Sequence, residues 1–243
     1  APTTAGTGSE VTPIAIVTTG AAEKKGVVAP QLLPDWAVLD ADLTLGLPRD
    51  VTAATGIDAM VHAIEAYTSV RLKNPVSDCL AREALRLLGG AIRQVCAEPG
   101  DRKARGDMLL GSMLAGMAFS NAPVAAVHAL AYPLGGHFHV PHGLSNCLVL
   151  PEVLRFNMAA AEALYAELTP ILFPGRAGGQ ALVDGIEELA LHIGLKTRLS
   201  QVGVTRGDIA MLAEDAMKQT RLLQNNPRPM TLADAAAIYD ACL

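Results

Sequence analysis

The residues best suited to chemistry begin with an aspartate and a histidine four positions apart, Asp58 and His62, in the segment GIDAMVHAIEAY. On a helix, such residues project from the same face one turn apart, so this carboxylate and this imidazole can reach one ion. The residues around them are apolar, and a buried carboxylate needs a compensating partner. The spacing therefore indicates a pair of metal ligands, and a polar pair that only hydrogen-bonds locally is the alternative interpretation.

A second group of candidate ligands lies in VHALAYPLGGHFHVPHG, where four of the six histidines occupy positions 128–142. Neutral imidazole is the commonest metal ligand. With the first pair, His128 and His142 make a set of three nitrogens and one oxygen, which suits Fe²⁺ or Zn²⁺ and lacks the thiolates of structural zinc sites. We expect a bend at the Gly-Gly pair, and non-ligand roles for His137 and His139. A hydrogen-bonded core histidine is the alternative for each ring.

A third motif, PTTAGTGSEVT at residues 2–12, combines glycines and hydroxyl side chains in a turn-rich stretch. Such a stretch can offer backbone N–H groups to a phosphate or a ribose. It matches neither the GxxxxGK[ST] pattern of a Walker A loop nor GxGxxG. Glycine- and serine-rich turns are common, so this motif indicates nucleotide contact only in combination with the others.

The composition limits the class of protein that carries these motifs. The 243-residue chain is 51% hydrophobic and only 18% charged, which predicts a large buried core and excludes disorder. A net charge of −5 and an aromatic content of 4% argue against a nucleic-acid partner. Four cysteines without Cys-x-x-Cys spacing favour neither a disulfide framework nor a zinc ribbon, and they indicate a reducing cytoplasm.

The longest stretch without Asp, Glu, Lys or Arg runs for 44 residues, from Met108 to Pro151. A transmembrane helix needs about 20 apolar residues. This stretch, however, contains histidines, asparagines and prolines that lipid would have to accept. We therefore predict a helix buried in a protein core and no membrane partner. The N-terminal sequence has no signal-peptide pattern and indicates a cut into a longer chain.

The elements that must position these residues change in kind after residue 46. Before it, β-prone runs at 14–19, 25–29 and 37–39 are separated by glycine and proline. After it, apolar periodicity and candidate caps predict helices only. These span 51–69, 76–96, 102–119, 123–132, 143–157, 159–168, 178–193, 205–218 and 231–241. The expected caps are Asp50, Thr205 with Asp208, and Thr231 with Asp234, and the pair Asn74-Pro75 is expected to start the helix at 76–96. The fold class expected is mainly α, with a short β-containing segment before an all-helical domain.

In kind and order, four motifs resemble those of the iron-containing (group III) alcohol dehydrogenase family: PTTAGTGSEVT, GIDAMVHAIEAY, a His-x13-His pair ending in PHG, and NNPRPMT. The resemblance covers residues 1–243 and implies an oxidoreductase that uses NAD or NADP. It makes residues 1–46 the C-terminal remnant of an α/β dinucleotide-binding domain and residues 47–243 the helical metal and catalytic domain.

The resemblance also implies roles for individual residues. Metal ligation and catalysis fall to Asp58, His62, His128 and His142. Cofactor contacts fall to Thr3, Thr4, Thr7, Ser9 and Lys25. Phe119 lies where the family lines its substrate pocket, and we add Tyr132 and His137 as substrate contacts. Tyr132 stands where many members have a second histidine, and the family's glycine-rich GGGS segment is missing. Maleylacetate reductases typically have Asn at the position of Asp58, so the aspartate favours an alcohol dehydrogenase.

The expected function is therefore hydride transfer between a small alcohol or aldehyde and NAD(P), with Fe²⁺ or alternatively Zn²⁺, in a cytoplasmic homo-oligomer. One alternative is an enzyme like dehydroquinate synthase or glycerol-1-phosphate dehydrogenase. Substrates of that kind call for several Lys or Arg side chains, and the uncharged stretch offers none. The other alternative is a non-enzymatic helical domain that holds a structural metal.

Overall fold

A computed structural model describes residues 1–19 and 23–243, with side chains described for 1–17 and 26–243. Its two strands are β1 (Ile14–Thr19) and β2 (Glu23–Val28). The helices are α1 (Arg49–Thr68), α2 (Pro75–Ala97), α3 (Arg102–Asn121), α4 (Ala126–Phe138), α5 (His142–Leu172), α6 (Gly179–His192), α7 (Ile209–Met217), α8 (Thr220–Leu223) and α9 (Leu232–Ala241). Short 3-10 turns lie at Ser9–Val11, Pro30–Leu32, Ala41–Thr44, Leu199–Val202 and Arg206–Asp208. The predicted mainly α fold class is confirmed.

Helix α1 is the centre of the helical core and packs against α2, α3 and α5. A helix that is apolar on every side is expected to be buried, and from Gly56 to Thr68 every residue of α1 is buried. Its alanines let the neighbouring helices approach closely. Asp58, His62 and Glu65 are the acidic and basic residues within this buried stretch of α1, so each needs partners inside the protein.

The N-terminal segment packs its loop against the helices. β1 and β2 form an antiparallel hairpin in which Ile14 pairs with Val28. Gly8 has a φ of 59°, and a Cβ atom there would lie 2.5 Å from Cα of Gly116 in α3. Only glycine combines the left-handed conformation with so close an approach. Gly8 therefore allows the loop to pack directly against α3.

Several sequence-based boundaries were wrong, each for a local reason. The predicted strand at 37–39 has no strand partner in the described structure. The predicted helices 143–157 and 159–168 are one helix, α5, because the Asn157 side chain bonds Asn226 and does not interrupt the backbone. A bend was expected at Gly135 and Gly136, but both residues lie inside helix α4. This helix begins at Ala126 and ends before His139, whose φ is 53°.

Helix starts were predicted more accurately. Asn74 accepts a hydrogen bond from the backbone N–H of Ser77 at the start of α2. Thr231 and Asp234 form a capping box before α9. Thr205 and Asp208 do the same one 3-10 turn before α7, so the helix predicted at 205–218 begins later. Asp50 does not cap α1, which begins at Arg49. Asp50 lies in the first turn, where a carboxylate still interacts favourably with the helix dipole.

The uncharged stretch covers most of α3, all of α4 and the first part of α5. Helix α4 is largely buried, as predicted, whereas Leu110 and Met117 of α3 are exposed, so α3 is not buried on all sides. Among the described residues, no single helix has the length and apolar composition needed to cross a membrane. Helices α3 and α4 reach those criteria only when taken together, and they are bent by 108° at their junction.

Candidate metal centre

Three helices bring four potential ligands to one place. Asp58 and His62 come from the middle of α1, His128 from the start of α4, and His142 from the first residue of α5. One ligand atom of each side chain lies within 4.8 Å of the others. The first three residues are buried, whereas 44% of the His142 side chain is exposed. The cluster is therefore accessible from the His142 side.

The imidazole rings surround the Asp58 carboxylate. The rings of His62 and His128 are stacked, with centroids 4.8 Å apart and planes inclined by 20°. Nε2 of His142 lies 3.5 Å from Asp58 Oδ1, and Nε2 of His128 lies 3.9 Å from the same oxygen. Three nitrogens and one carboxylate oxygen are a donor set that suits Fe²⁺ or Zn²⁺.

The glycine of the PHG motif explains how His142 reaches this place. A Cβ atom on Gly143 would lie 2.2 Å from the carbonyl oxygen of Ala54, in the turn of α1 that precedes Asp58. The start of α5 can therefore touch the backbone of α1 only with glycine at this position. That contact sets the neighbouring His142 beside Asp58.

The N-terminal loop orients the ring of His62. Its Nδ1 lies 3.1 Å from the carbonyl oxygen of Gly6. A carbonyl only accepts, so Nδ1 carries the hydrogen and Nε2 keeps its lone pair. Burial, assisted by the positive charge that His128 and His142 can carry, lowers the pKa of His62 to about 3 against the opposing effect of Asp58. The ring is therefore neutral and available as a ligand.

Glu65 forms a hydrogen bond with His128, and the sequence analysis did not predict a role for this residue. The Glu65 carboxylate is buried, and one of its oxygens lies 2.6 Å from Nδ1 of His128. Burial opposes a charge on this ring, but the charge and hydrogen bond of Glu65, together with Asp58, outweigh burial and raise the pKa of His128. The available signal was the helical spacing, because Glu65 follows His62 by three residues and Asp58 by seven on one helix face.

Asn146 is the second residue that the sequence reasoning missed. Its Nδ2 donates to Asp58 Oδ1 over 2.6 Å and lies 3.3 Å from Nε2 of His128. Burial raises the pKa of Asp58, but the three imidazoles and this amide outweigh burial and lower it. The signal was its position four residues after His142, which places both side chains on one face of α5.

The predicted substrate residues have different positions. The centroids of the Phe119 and His62 rings lie 4.5 Å apart. The Tyr132 ring lies 5.9 Å from that of His142, and burial raises the pKa of its phenol to about 12, so it keeps its proton. His137 lies outside this cluster, where its Nε2 is 2.5 Å from a carboxylate oxygen of Asp215 on α7.

Four of the five predicted cofactor residues lie on the N-terminal loop. Its small residues Ala5, Gly6 and Gly8 are buried. The hydroxyl residues between them face outwards: Thr3, Thr7 and Ser9 are exposed and Thr4 is half-buried. The loop thus presents hydroxyl groups at the surface beside the peptide that contacts His62. Lys25 lies in β2, and its side chain is outside the described part of the structure.

Comparison with known proteins gives one consistent family. The model described as "Fe-containing alcohol dehydrogenase family, C-terminal" matches residues 52–243, and the model "Iron-containing alcohol dehydrogenase" matches residues 1–41. The chain is 42% identical over 246 residues to long-chain-alcohol dehydrogenase 1 of Geobacillus thermodenitrificans, an alignment that covers 99% of this chain and 62% of that relative.

Solved structures agree with the sequence relatives. The crystal structure of a 1,3-propanediol oxidoreductase matches with a TM-score of 0.93 and 38% identity, over 99% of this chain and 64% of that one. Sulfoacetaldehyde reductase from Bifidobacterium kashiwanohense, solved in complex with NAD⁺, matches with a TM-score of 0.90 and 32% identity, over 99% and 63%. The chain thus spans less than two thirds of the length of each of these proteins.

Proposed function

This chain belongs to the iron-containing alcohol dehydrogenase family, and from that premise we propose that it provides the metal-binding catalytic part of an NAD(P)-dependent alcohol dehydrogenase. The reaction is hydride transfer between the carbinol carbon of a small alcohol, or the corresponding aldehyde, and a nicotinamide nucleotide. The observation that carries the proposal is the convergence of four ligand atoms, within 4.8 Å of one another, from three helices.

The residues present fit a divalent metal. We propose Asp58, His62, His128 and His142 as its ligands and Fe²⁺ as the ion, with Zn²⁺ as the alternative that the same donor set suits. Asp58 is the one anionic member, and its lowered pKa keeps it ionised. When bound, such an ion supplies Lewis acidity toward an alcohol or carbonyl oxygen.

The chain's own residues then bind and orient the substrate. The half-exposed His142 marks the side from which a small molecule reaches the cluster. Phe119 and Tyr132 provide uncharged walls against the imidazole rings, which suits a small neutral alcohol or aldehyde. The raised pKa of Tyr132 makes its hydroxyl a hydrogen-bond donor to a substrate oxygen and not a base. His137, paired with Asp215, is proposed as a more distant substrate contact.

For the nucleotide, we propose Thr3, Thr4, Thr7, Ser9 and Lys25 as contacts from the N-terminal segment. The outward-facing hydroxyls of the loop and the link from Gly6 to His62 support this, since they put polar surface groups next to the metal site. The hydride chemistry belongs to the cofactor, and the protein orients it. Both NAD and NADP are compatible with these contacts.

We extend the proposal to the organisation of the protein. Residues 1–46 act as the part of a dinucleotide-binding domain that borders the catalytic domain, 47–243. Exposed apolar residues on the hairpin, such as Val27 and Val28, and Trp36, which is 86% exposed, support association with further protein in a homo-oligomer. All four cysteines are free, which supports a cytoplasmic location. Nucleic-acid and membrane partners are not part of the proposal.

The test combines metal analysis with an activity assay. The full-length protein, with its whole dinucleotide-binding domain, is loaded anaerobically with Fe²⁺ or with Zn²⁺. It is assayed for alcohol oxidation with NAD⁺ and with NADP⁺, and for aldehyde reduction with the reduced forms. We expect one metal per chain and metal-dependent turnover of a small alcohol. A folded protein that binds one metal per chain in a closed site without any turnover would favour the structural-metal alternative.

A further inference from the structure

The Glu65 carboxylate makes two short hydrogen bonds across the interface between α1 and α4. Oε2 lies 2.6 Å from Nδ1 of His128, and Oε1 accepts from the backbone N–H of Val127 over 2.7 Å. Glu65 is 4% exposed and His128 is 2% exposed. Both bonds are therefore shielded from water. In such a buried environment a charge-assisted hydrogen bond is strong.

The two donors differ in what they can do. The Val127 N–H lies in the first turn of α4, where backbone N–H groups have no partner inside the helix, and the N-cap residue Ala125 supplies no side-chain cap. This group can only donate, so it requires an acceptor at Glu65. The His128 ring can instead carry its hydrogen on either nitrogen, because a neutral imidazole has two tautomers.

A carboxylate has two acceptor oxygens, so it satisfies the N–H group and also draws the ring hydrogen to Nδ1. The other ring nitrogen, Nε2, then keeps its lone pair on the side of the cluster, 3.9 Å from Asp58 Oδ1. A metal needs that lone pair. The ring of His62 is oriented by the backbone of Gly6, whereas the ring of His128 depends on a side chain.

We propose that Glu65 is a positioning residue that selects the Nδ1–H tautomer of His128 for metal binding while it caps α4. The metal part of this inference rests on the proposed function. The effect comes from the acceptor-only character of the carboxylate. A side chain of the same shape with one acceptor and one donor is therefore expected not to select the Nδ1–H tautomer.

Glu65→Gln makes that distinction. The Val127 N–H takes the single amide oxygen, so the amide NH₂ group faces Nδ1 of His128. Two donors would oppose each other unless the ring moves its hydrogen to Nε2. The ring is expected to do so, since this satisfies both hydrogen bonds of the substituted side chain, and Nε2 then loses its lone pair. The Asn146 amide nitrogen, 3.3 Å from Nε2, keeps its own 2.6 Å hydrogen bond to Asp58 Oδ1. The hydrogen bond that caps α4 is kept, while His128 no longer offers a lone pair to the metal.

Glu162→Gln is a matched control. Oε1 of Glu162 accepts from the backbone N–H of Gly179, the first residue of α6, over 3.1 Å. This substitution removes a charge from another carboxylate that caps a helix, at a position where no histidine ring is bonded to it. A general effect of losing a capping carboxylate would appear in both variants, and an effect on the tautomer only in Glu65→Gln.

The first measurement needs no metal. Nitrogen-15 NMR correlation spectra of the histidine rings, recorded at alkaline pH where imidazole is neutral, identify the tautomer of His128. We expect Nδ1–H in the wild type and in Glu162→Gln, and Nε2–H in Glu65→Gln. A wild-type spectrum with the Nε2–H tautomer overturns the proposal, whether or not Glu65→Gln folds.

The second measurement is Zn²⁺ affinity by competition with a chromogenic chelator. We expect Glu65→Gln to bind about 10–100-fold more weakly than the wild type, as is typical when a partner of a ligating histidine is lost, with Glu162→Gln unchanged. Wild-type affinity in a folded Glu65→Gln variant overturns the proposal and leaves the proposed function standing. Absence of Zn²⁺ binding in the wild type contradicts the proposed function instead, and the NMR result still decides the tautomer.

Discussion

Gly143 at the start of α5 and Ala54 in α1 approach so closely that a Cβ atom on Gly143 would lie 2.2 Å from the Ala54 carbonyl oxygen. The same Cβ atom would lie 3.3 Å from Cβ of Asp58. The two helices that supply Asp58 and His142 are thus in backbone contact at the metal site. The geometry of the ligands depends on this contact as well as on the ligands themselves.

Gly143→Ala is therefore expected to separate the two helices. Overpacking of this kind costs about 1–3 kcal/mol, and the displacement of His142 should also weaken metal binding. Thermal unfolding and metal stoichiometry measure the two effects. In Gly90→Ala, the control in α2, the new Cβ atom meets nothing within 4 Å, so its stability should be unchanged or slightly higher. Equal behaviour of the two variants would show that the close contact is unimportant.

Asp58→Asn tests the only anionic ligand of the cluster. The amide keeps the shape of the side chain and opens no cavity, so circular dichroism should show an intact fold. A divalent ion loses its one negatively charged protein ligand, so we expect metal affinity to fall by at least ~10–100-fold. Dialysis against a mild chelator followed by metal analysis measures the loss. His139→Asn, an exposed site at φ 53° where Asn is tolerated, should keep its metal. Metal loss in that variant would contradict the ligand assignment.

Phe119→Ala tests the wall of the proposed substrate site. The Phe119 ring contacts the His62 ring but offers no ligand atom. We expect unchanged metal stoichiometry and a kcat/KM for small alcohols lowered by about tenfold, since substrate positioning is lost. Steady-state kinetics of the metal-loaded protein measure this. Leu110→Ala, an exposed position on the same helix, is the control and should keep wild-type kinetics. Loss of metal from Phe119→Ala would mean that the ring supports the ligands and not the substrate.

The NNPRPMT motif has a structural role that a double-mutant cycle can test. Asn157 in α5 and Asn226 are buried, and their amides bond each other reciprocally over 2.9 and 2.7 Å. Asn226→Ala removes both of these bonds from the buried Asn157 amide. Asn157→Ala leaves Asn226 with its bond from Nδ2 to the Arg228 carbonyl oxygen but without a donor to its Oδ1. Each loss is expected to cost about 1–3 kcal/mol. The double variant should lose less than the sum of the two single variants. Strict additivity in chemical denaturation would mean that the pair is not coupled. Asn121→Ala, at an exposed asparagine, is the control.

The capping box before α9 predicts a pH effect. One oxygen of the Asp234 carboxylate accepts from the backbone N–H and the hydroxyl of Thr231, and these bonds lower the pKa of Asp234. A carboxyl group with a lowered pKa in the folded state stabilises the fold above its unfolded pKa, near 3.9, and loses this effect as the pH falls through the folded value. Asp234→Asn should therefore lower Tm at neutral pH, and the difference from wild type should shrink below about pH 4. A difference that is independent of pH would contradict this account.

Much of the fold could be predicted because local patterns decided it. The change from β-prone runs to apolar helical periodicity after residue 46 matches the observed order of elements. The helix start at Asn74-Pro75 and the cap at Thr231 were predicted correctly. The errors lie where tertiary contacts overrule local signals. Gly135 and Gly136 remain in α4 because the helix is packed on its neighbours, and the site of Asn157 is no break because Asn226 satisfies its side chain.

The sequence by itself determined which side chains are available as ligands, since the i and i+4 spacing of Asp58 and His62 on a helix and the concentration of histidines before Gly143 are local properties. Only the tertiary structure decided that these residues meet, and which neighbours hold them. Glu65 and Asn146 bond to groups that lie 62 and 88 residues away along the chain. No periodicity encodes such a distance. The approach of α5 to α1 at Gly143, and the burial that makes every polar group on α1 find a partner, bring those groups together.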